Sequence, residues 1–301
     1  MEHYYRQWAQ RQPWRDSSRA SIESNFTNHV LPTFGKRPLG SIRRGDVEAW
    51  AAQLPLAGTT ARLAVQYLGA MLESAVDDGL IAKNPCRGAK RPRVDSEPVV
   101  PYTADELDRL WEHAHDWFRI ALVLGTMAGL RLGEVAGLTV DRLDLPRRTL
   151  KVDRQLVTPT AGTPSFGPPK TSANYRTVPL ADVAVENIAG NLEQFGTGRE
   201  GVVFHENGEW VRRQQFGHLW RKLRVAAGLP LEAKFHATRH TYASTLLSGG
   251  VGVPAAAEYL GHTPSVLLKT YAHLMPADHD RARSVVQAAF TRTVESEAAA
   301  R

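Results

Sequence analysis

The chain has very little cysteine and no long apolar segment. Cys86 is the single cysteine among 301 residues, which excludes an internal disulfide and matches a reducing compartment. The longest apolar stretch, residues 120–130, falls well short of the roughly 20 residues that cross a bilayer, and Gly125 and Gly129 interrupt it. The N-terminal residues lack the apolar region of a signal peptide. We therefore expect a cytoplasmic protein without a membrane partner.

The C-terminal two-thirds of the chain carries no net charge. The formal net charge of the whole chain is +6, and all of this excess lies before Val94. It ends in a cluster of basic residues, namely Lys83, Arg87, Lys90, Arg91 and Arg93. A localised basic excess is the electrostatic footprint of nucleic-acid binding. A soluble protein with a merely basic surface has the same composition, so charge alone supports both interpretations equally.

A polar segment with two prolines, residues 88–98, predicts a linker between two domains. We expect a helical domain over residues 1–90, a basic linker over residues 91–98, a second domain over residues 99–290 and a tail over residues 291–301. In the first domain, apolar residues at helical spacing predict helices at residues 17–29, 44–54 and 59–78. Gly79 is expected to end the last of these helices.

The second domain is predicted to be mainly α-helical with a small inserted β-sheet. Thr103 and Glu106 have the spacing of a capping box, which starts a helix. Alternation with period two predicts strands at residues 149–156 and 176–180, separated by a turn region rich in proline and glycine at residues 158–170. Helical spacing predicts further helices at residues 120–129, 132–138, 183–195, 214–227, 239–247, 254–260, 264–274 and 278–294.

Six polar residues are candidates for phosphate chemistry: Arg131, Lys170, His236, Arg239, His262 and Tyr271. Arginine presents a planar fork of donors that matches phosphate oxygens. Lysine and histidine can transfer protons, and a tyrosine hydroxyl can act as a nucleophile. Taken singly, each residue also has a purely structural explanation. Arg131 could pair with Glu134, and Tyr271 could be a packed core aromatic.

His236 and His240 also suggest a metal site, because histidines four residues apart share one face of a helix. Zinc hydrolases with this spacing need a glutamate next to the first histidine as general base, and this chain has Ala237 there. No third ligand follows at an obvious spacing. We therefore expect no metal ion.

The six residues taken together resemble the tyrosine recombinases, the phage-integrase family of site-specific DNA recombinases. The matching segments are Gly129-Leu130-Arg131-Leu132-Gly133-Glu134, Lys170 between strands, His236-x-x-Arg239, Leu260-Gly261-His262, and Tyr271 nine residues after His262. The resemblance covers residues 99–290. It implies an α+β catalytic domain there, and residues 1–90 are similar in size and position to the SAM-like helical core-binding domain of that family.

The resemblance implies a nucleophile and a phosphate clamp. Tyr271 would attack a scissile DNA phosphate and form a 3′-phosphotyrosyl intermediate. Arg131 and Arg239 would hold the non-bridging phosphate oxygens, and His262 would add a further hydrogen bond to the same phosphate.

The resemblance also assigns the proton transfers. His236 would be the general base, and Lys170 would protonate the departing 5′-oxygen. Glu134 would orient its neighbours rather than react. No cofactor, metal or ATP is implied, because the cations of the site stabilise the charge and the covalent link conserves the phosphodiester energy.

The implied partner is double-stranded DNA that carries core-type attachment sites. Its expected protein contacts are Arg43, Arg44, Lys90, Arg91 and Arg93. Strand exchange through a Holliday junction implies a homotetramer on DNA, and the protein could be a monomer in solution. The resemblance also implies a possible directionality factor such as an excisionase. We expect this protein to act in the cytoplasm of a bacterial host, at the nucleoid. The helix after Tyr271 would dock on a neighbouring protomer or on its own domain, and the sequence supports both.

Integration and excision of phage DNA is the leading functional hypothesis. A Xer-like or transposon-borne recombinase with the same chemistry is the nearest alternative. A non-catalytic DNA-binding protein of the same fold is an alternative from another class, although none of the six candidate residues is missing. Residues 1–90 suffice for a core-binding domain but leave little room for an arm-binding domain, so a short integrase and a fragment of a longer protein both remain open.

Overall fold

Two separate hydrophobic cores divide the chain. The computed structural model describes residues 1–90, 99–159, 162–169, 174–274, 282–284 and 286–288. The chain forms two units, Met1–Glu97 and Pro98–Arg301. The described residues do not include the predicted linker at residues 91–98, with Arg91 and Arg93, or the predicted tail at residues 291–301. They also do not include Lys170. No helix in the described ranges is long and apolar enough to cross a membrane.

The first unit is helical, as its sequence predicts. Its helices are α1 Glu2–Gln10, α2 Asp16–Asn25, α3 Leu31–Phe34, α4 Arg44–Gln53 and α5 Gly58–Asp77, with a π-helical turn Phe26–Val30 between α2 and α3 and a 3₁₀ turn at Leu39–Ser41. Gly79 follows α5 with a positive φ of 72°, a conformation that favours glycine. The three predicted helices are confirmed, and α1 and the short α3 were missed.

Aromatic rings fill the core of this unit. The ring of Tyr5 in α1 stacks on Phe26, with 4.0 Å between the ring centroids. Phe34 meets Trp50 edge to face at 5.3 Å. Tyr4, Tyr5 and Trp8 are all buried, and their spacing is that of one helix face. This periodicity was the signal that would have predicted α1.

The second unit combines helices with short antiparallel strands. Its helices are α6 Ala104–His113, α7 Asp116–Thr126, α8 Leu132–Gly137, α9 Asp182–Phe195, α10 Arg213–Ala226, α11 His236–Ser248, α12 Val253–Leu260 and α13 Pro264–Tyr271, with 3₁₀ turns at Val140–Arg142, Arg199–Gly201 and Ala272–Leu274. Its strands are β1 Leu143–Asp144, β2 Thr149–Val152, β3 Gln155–Val157, β4 Ser165–Gly167, β5 Arg176–Pro179, β6 His205–Glu206 and β7 Glu209–Trp210. The fold class predicted from the sequence is confirmed.

Several predicted boundaries are confirmed and others shift. The side chain of Thr103 accepts the backbone N–H of Glu106 at 3.2 Å, and the Glu106 carboxylate accepts the N–H of Thr103 at 2.9 Å, which confirms the capping box. Helix α11 begins three residues earlier than predicted and so includes His236. Residues 282–284 and 286–288, within the last predicted helix, are helical.

The single strand predicted at residues 149–156 is wrong. The chain forms β2 and β3 there, which belong to different sheets: β2 lies between β1 and β5, and β3 pairs with β4. The break falls at Asp153, whose carboxylate accepts a hydrogen bond from Nε of Arg142 at 2.8 Å and of Arg154 at 3.2 Å. These bonds hold the side chain of Asp153 at the point where the chain leaves the first sheet.

The predicted turn region at residues 158–170 also contains a strand, β4. Leu156 in β3 stands opposite Phe166 in β4. Both contribute to a small separate cluster around Ala136, Val202 and Trp210. Burial of this apolar face stabilises a hairpin that local composition did not predict.

Candidate functional site

Arg131 lies directly before α8 on a backbone shaped by glycine. Gly129 has a φ of 63°, and a Cβ atom there would collide with the ring of Tyr242. Two residues later, Nη1 of Arg131 donates to Glu134 Oε1 at 2.9 Å and to Asn174 Oδ1 at 2.8 Å. About a third of the Arg131 side chain, 32%, stays exposed, so a guanidinium held by fixed partners still faces solvent.

Glu134 is the buried anion of the site. Arg176 in β5 donates to both of its carboxylate oxygens, Nη1 to Oε1 at 3.1 Å and Nη2 to Oε2 at 2.8 Å. Burial by itself would raise the pKa of Glu134, but the hydrogen bonds and charge of Arg176, followed by the charges of Arg131 and Arg239, outweigh it and bring the pKa to about 2. Glu134 is therefore ionised at neutral pH and holds the surrounding cations.

Arg239 is completely buried. Its Nη1 donates to the carbonyl of Gly129 and its Nη2 to the carbonyl of Leu260. Nη2 also lies 3.1 Å from Nε2 of His262. Burial, and next the charge of Arg131, lower the pKa of Arg239 to about 9, so the guanidinium remains charged at neutral pH. Its Nε–H has no hydrogen-bond partner among the described residues.

His262 and His236 are both held neutral. Burial, and next the charges of Arg239 and Arg131, lower the pKa of His262 to about 3. The same causes lower the pKa of His236 to about 4, and His236 is the more exposed residue of the two. Gly261 ends α12 with a left-handed φ of 59°, and its carbonyl accepts Nη2 of Arg131 at 3.3 Å. The turn before His262 is thereby tied to Arg131.

Tyr271 is the last residue of α13, and only 1% of it is exposed. Its hydroxyl lies 2.6 Å from Nδ1 of His240. Burial raises the pKa of Tyr271, and the charges of Arg239 and Arg131 oppose that rise. The ring of His240 meets the ring of His236 at 85°, with 4.7 Å between centroids.

The structure therefore brings together Arg131, Glu134, His236, Arg239, His262 and Tyr271. Lys170 lies outside the described residues. Sequence reasoning missed Arg176, Asn174 and the contact of His240 with Tyr271. Helical spacing placed His240 on the same face as His236, but no local pattern points from His240 to Tyr271, 31 positions further on.

Three of the basic residues proposed for DNA contact, Arg43, Arg44 and Lys90, lie in the described part of the first unit. Arg44 pairs with Glu48 at 2.9 Å, and the other bond to the same Glu48 oxygen comes from the backbone N–H of Lys90, also at 2.9 Å. Arg43, next to Arg44, donates to the carbonyl of Gly40 at 3.1 Å. All three cationic side chains are exposed. In the part of the chain that the structure describes, no group of three or more His, Cys, Asp or Glu side chains could hold a metal ion.

Known proteins are similar in sequence to most of this chain. The model of the phage integrase family matches residues 102–277. An XerC-like tyrosine recombinase of Caldanaerobacter subterraneus is 30% identical over 241 residues, which cover 70% of this chain and 61% of that protein. The integrase of Mycobacterium phage L5 is 25% identical over 285 residues, which cover 89% of this chain and 74% of that protein.

Solved structures show the same fold. The Tn1549 transposon integrase in complex with circular intermediate DNA matches with a TM-score of 0.80 at 23% identity, covering 93% of this chain and 97% of that one. A lambda integrase tetramer bound to a Holliday junction matches with a TM-score of 0.67 at 18% identity, covering 88% of this chain and 75% of that one. The family model matches more than half of the residues of this chain. The chain therefore belongs to the phage integrase family, the tyrosine site-specific DNA recombinases.

Proposed function

We propose that Tyr271 is the nucleophile of DNA cleavage and that Arg131 and Arg239 clamp the scissile phosphate. The observation that carries this proposal is the convergence of two charged guanidinium groups and a tyrosine hydroxyl from distant parts of the chain. The carbonyls of Gly129, Leu260 and Gly261 hold the two arginines in place. These contacts orient both guanidinium groups before a phosphate enters the site.

The reaction proceeds by in-line displacement at phosphorus. The Tyr271 oxygen forms a bond to phosphorus, the bond from phosphorus to the 5′-oxygen breaks, and the products are a 3′-phosphotyrosyl link and a free 5′-hydroxyl. Lys170 donates a proton to the departing 5′-oxygen. An incoming 5′-hydroxyl then reverses the sequence and rejoins the strand without an external energy source.

Charge stabilisation comes from cations that differ in burial. Arg239 is fully buried, and its Nε–H, which has no partner among the described residues, would donate to a phosphate oxygen that reaches it. Arg131 is about one-third exposed and binds from the solvent side, while His262 adds a neutral donor. Fixed charges in a desolvated site act more strongly than the same charges in water.

The substrate is double-stranded DNA with paired core-type sites, bound by Arg43, Arg44, Lys90, Arg91 and Arg93. Four copies exchange strands through a Holliday junction, and a separate directionality factor such as an excisionase separates integration from excision. The similarity to the phage L5 integrase supports integration of phage DNA as the biological task. The lambda tetramer bound to a Holliday junction supports the assembly.

A suicide DNA substrate tests the nucleophile. Candidate sites are the sequences that flank the gene, nicked so that a short 5′-hydroxyl fragment diffuses away after cleavage. The unchanged chain should form a covalent complex on a denaturing gel, and Tyr271→Phe should form none while it still binds the DNA. An adduct with Tyr271→Phe would refute the nucleophile assignment. Site-specific binding without an adduct from the unchanged chain would favour a non-catalytic DNA-binding protein.

A further inference from the structure

The hydroxyl of Tyr271 has a histidine partner that the phosphate clamp does not use. Nδ1 of His240 lies 2.6 Å from that hydroxyl, a short distance for a hydrogen bond to a neutral nitrogen. We propose that His240, rather than His236, accepts the proton of Tyr271 as its oxygen attacks phosphorus. This assignment rests on the proposed function of Tyr271.

Helix geometry separates the roles of the two histidines. His236 and His240 lie one turn apart on α11, and their rings meet edge to face. His240 is half-buried and contacts Tyr271, whereas His236 is exposed and its side chain makes no hydrogen bond within the described part of the chain. His236 is therefore free to contact a bound phosphate, and the proton acceptor position is occupied by His240.

The proton and electron balance is complete with these groups. Nδ1 accepts the hydrogen bond, so the neutral ring carries its proton on Nε2. During cleavage the O–H bond of Tyr271 breaks, an N–H bond forms at Nδ1, and the oxygen lone pair forms the new bond to phosphorus. On religation the imidazolium returns this proton to the Tyr271 oxygen as that oxygen leaves. His240 is therefore the general base in cleavage and the general acid in religation.

Electrostatics keeps His240 ready to accept a proton. Burial, and next His236 and the charge of Arg239, lower the pKa of His240 to about 4, so the ring is neutral before DNA binds. A phosphate placed against Arg239 offsets that positive charge and raises the basicity of His240. The proton acceptor thus becomes stronger when the reacting phosphate is present.

Single-turnover cleavage of the suicide substrate by full-length variants tests the assignment. His240→Ala and His240→Asn should each slow cleavage by about 100-fold, the usual loss for a missing general base. Asparagine places an oxygen near the position of Nδ1 and can still accept a hydrogen bond, but it cannot take a proton. His218→Asn, an exposed histidine on α10, is the matched control and should cleave at the unchanged rate. Melting temperature and DNA affinity verify that each variant folds.

Fluorinated tyrosine at position 271 provides a readout that a structural role would not move. Fluorine makes the phenol more acidic, so its attack needs less help from a base. The penalty of His240→Asn should therefore shrink at least about tenfold when position 271 carries a polyfluorinated tyrosine. Full-rate cleavage by His240→Asn, or a penalty that fluorination leaves unchanged, would overturn the assignment of His240 alone. Failure of the unchanged chain to form any adduct would overturn the proposed function as well.

Discussion

The two arginines proposed to clamp the phosphate have the same chemical type but different surroundings. Arg239 is completely buried, and backbone carbonyls accept from both of its Nη atoms. Arg131 contacts two side chains and one carbonyl and remains partly exposed. Carbonyl partners fix a guanidinium without neutralising it, so Arg239 keeps its full charge for the phosphate. Arg131 forms an ion pair with Glu134, which partly neutralises its charge and holds its side chain in place.

Arg131 should be needed for cleavage more than for folding. Arg131→Ala removes a planar donor pair from the phosphate and should slow single-turnover cleavage by about 100-fold or more. Arg131→Lys keeps the charge but loses the fork and should recover only part of that rate. Arg147→Ala, an 85% exposed arginine of the same unit, should leave the rate unchanged. Equal rates for Arg131→Ala and Arg147→Ala would contradict the clamp.

Glu134 makes stability depend on pH. Replacement by Gln leaves the buried charge of Arg176 without its counter-ion and should lower the free energy of unfolding by about 3–5 kcal/mol at neutral pH. The folded pKa of Glu134 is about 2 against an ordinary value of 4.5, so its contribution is complete above about pH 4.5 and is lost as pH falls towards 2.

Urea titrations at several pH values measure this contribution. The stability gap between the unchanged chain and Glu134→Gln should narrow steadily as pH falls from about 5 to 3. Other carboxylates titrate in both proteins and cancel in the difference. A gap that stays constant over this range would show that Glu134 is not the titrating group.

At the scale of single residues, the sequence pointed to side chains that lie together in the structure, but not to the hydrogen-bond partners that hold them. Arg131, His236, Arg239, His262 and Tyr271 sit in segments whose local patterns could be recognised. Arg176 and Asn174 lie in or beside a short strand, where nothing local marks a buried ion pair with a residue some 40 positions away. Long-range pairing of this kind depends on tertiary packing and leaves no periodic signal.

At the scale of elements, glycine permits the close packing that forms the site. A Cβ on Gly125 in α7 would collide with Thr238 in α11, and a Cβ on Gly129 would collide with Tyr242. Helix α11 therefore approaches the segment that precedes Arg131 closely enough for Arg239 to reach the Gly129 carbonyl. The sequence motif included Gly129, whereas Gly125 was noted only as an interruption of an apolar stretch, and neither position indicated which side chain would pack against it.

Gly129→Ala should damage both stability and cleavage. Alanine at a φ of 63° carries roughly 1–2 kcal/mol of backbone strain, and its Cβ must also displace Tyr242. We expect a lower melting temperature and slower cleavage, because the Gly129 carbonyl positions Arg239. Gly190→Ala is the matched control, since Gly190 lies within α9 and a Cβ there meets nothing within 4 Å. That change should stabilise the chain by roughly 0.5–1 kcal/mol. A stable and fully active Gly129→Ala would contradict the packing argument.

Long periodic helices were predicted well and the short strands poorly. The capping box at Thr103 and the apolar spacing of α5 are local signals that tertiary contacts reinforce. The division at Asp153 instead depends on arginines from two other positions. The hairpin of β3 and β4 depends on burial of Leu156 and Phe166 beside Trp210. Where non-local contacts decide the outcome, alternation alone assigns too long a strand.

At the scale of the whole molecule, the excess of positive charge and the candidate catalytic residues lie in different units. The formal excess of +6 lies before Val94, whereas the described candidate catalytic side chains all lie in the unit Pro98–Arg301. This separation suits a protein in which phosphate contacts of one unit position the DNA and residues of the other perform the chemistry. DNA affinity and cleavage rate should therefore respond to different substitutions.

Arg44 allows a controlled test of this separation. It forms an i,i+4 pair with Glu48 in α4, and Arg6 forms the same kind of pair with Glu2 in α1. Loss of either exposed pair should cost a similar, small amount of stability, about 0.3–0.5 kcal/mol. Only Arg44 lies beside Arg43 and Lys90, so only Arg44→Ala should weaken DNA binding.

The salt dependence of affinity identifies the cause of that weakening. Each phosphate contact that is lost should reduce the slope of log affinity against log salt concentration by about one. Arg43→Ala combined with Arg44→Ala should therefore reduce it by about two, with affinity for unrelated DNA reduced to a similar extent because phosphate contacts do not specify sequence. Cleavage by the double variant at saturating DNA should stay close to the unchanged rate. An unchanged salt slope, or a slope that falls equally in Arg6→Ala, would show that these cations do not contact the DNA backbone.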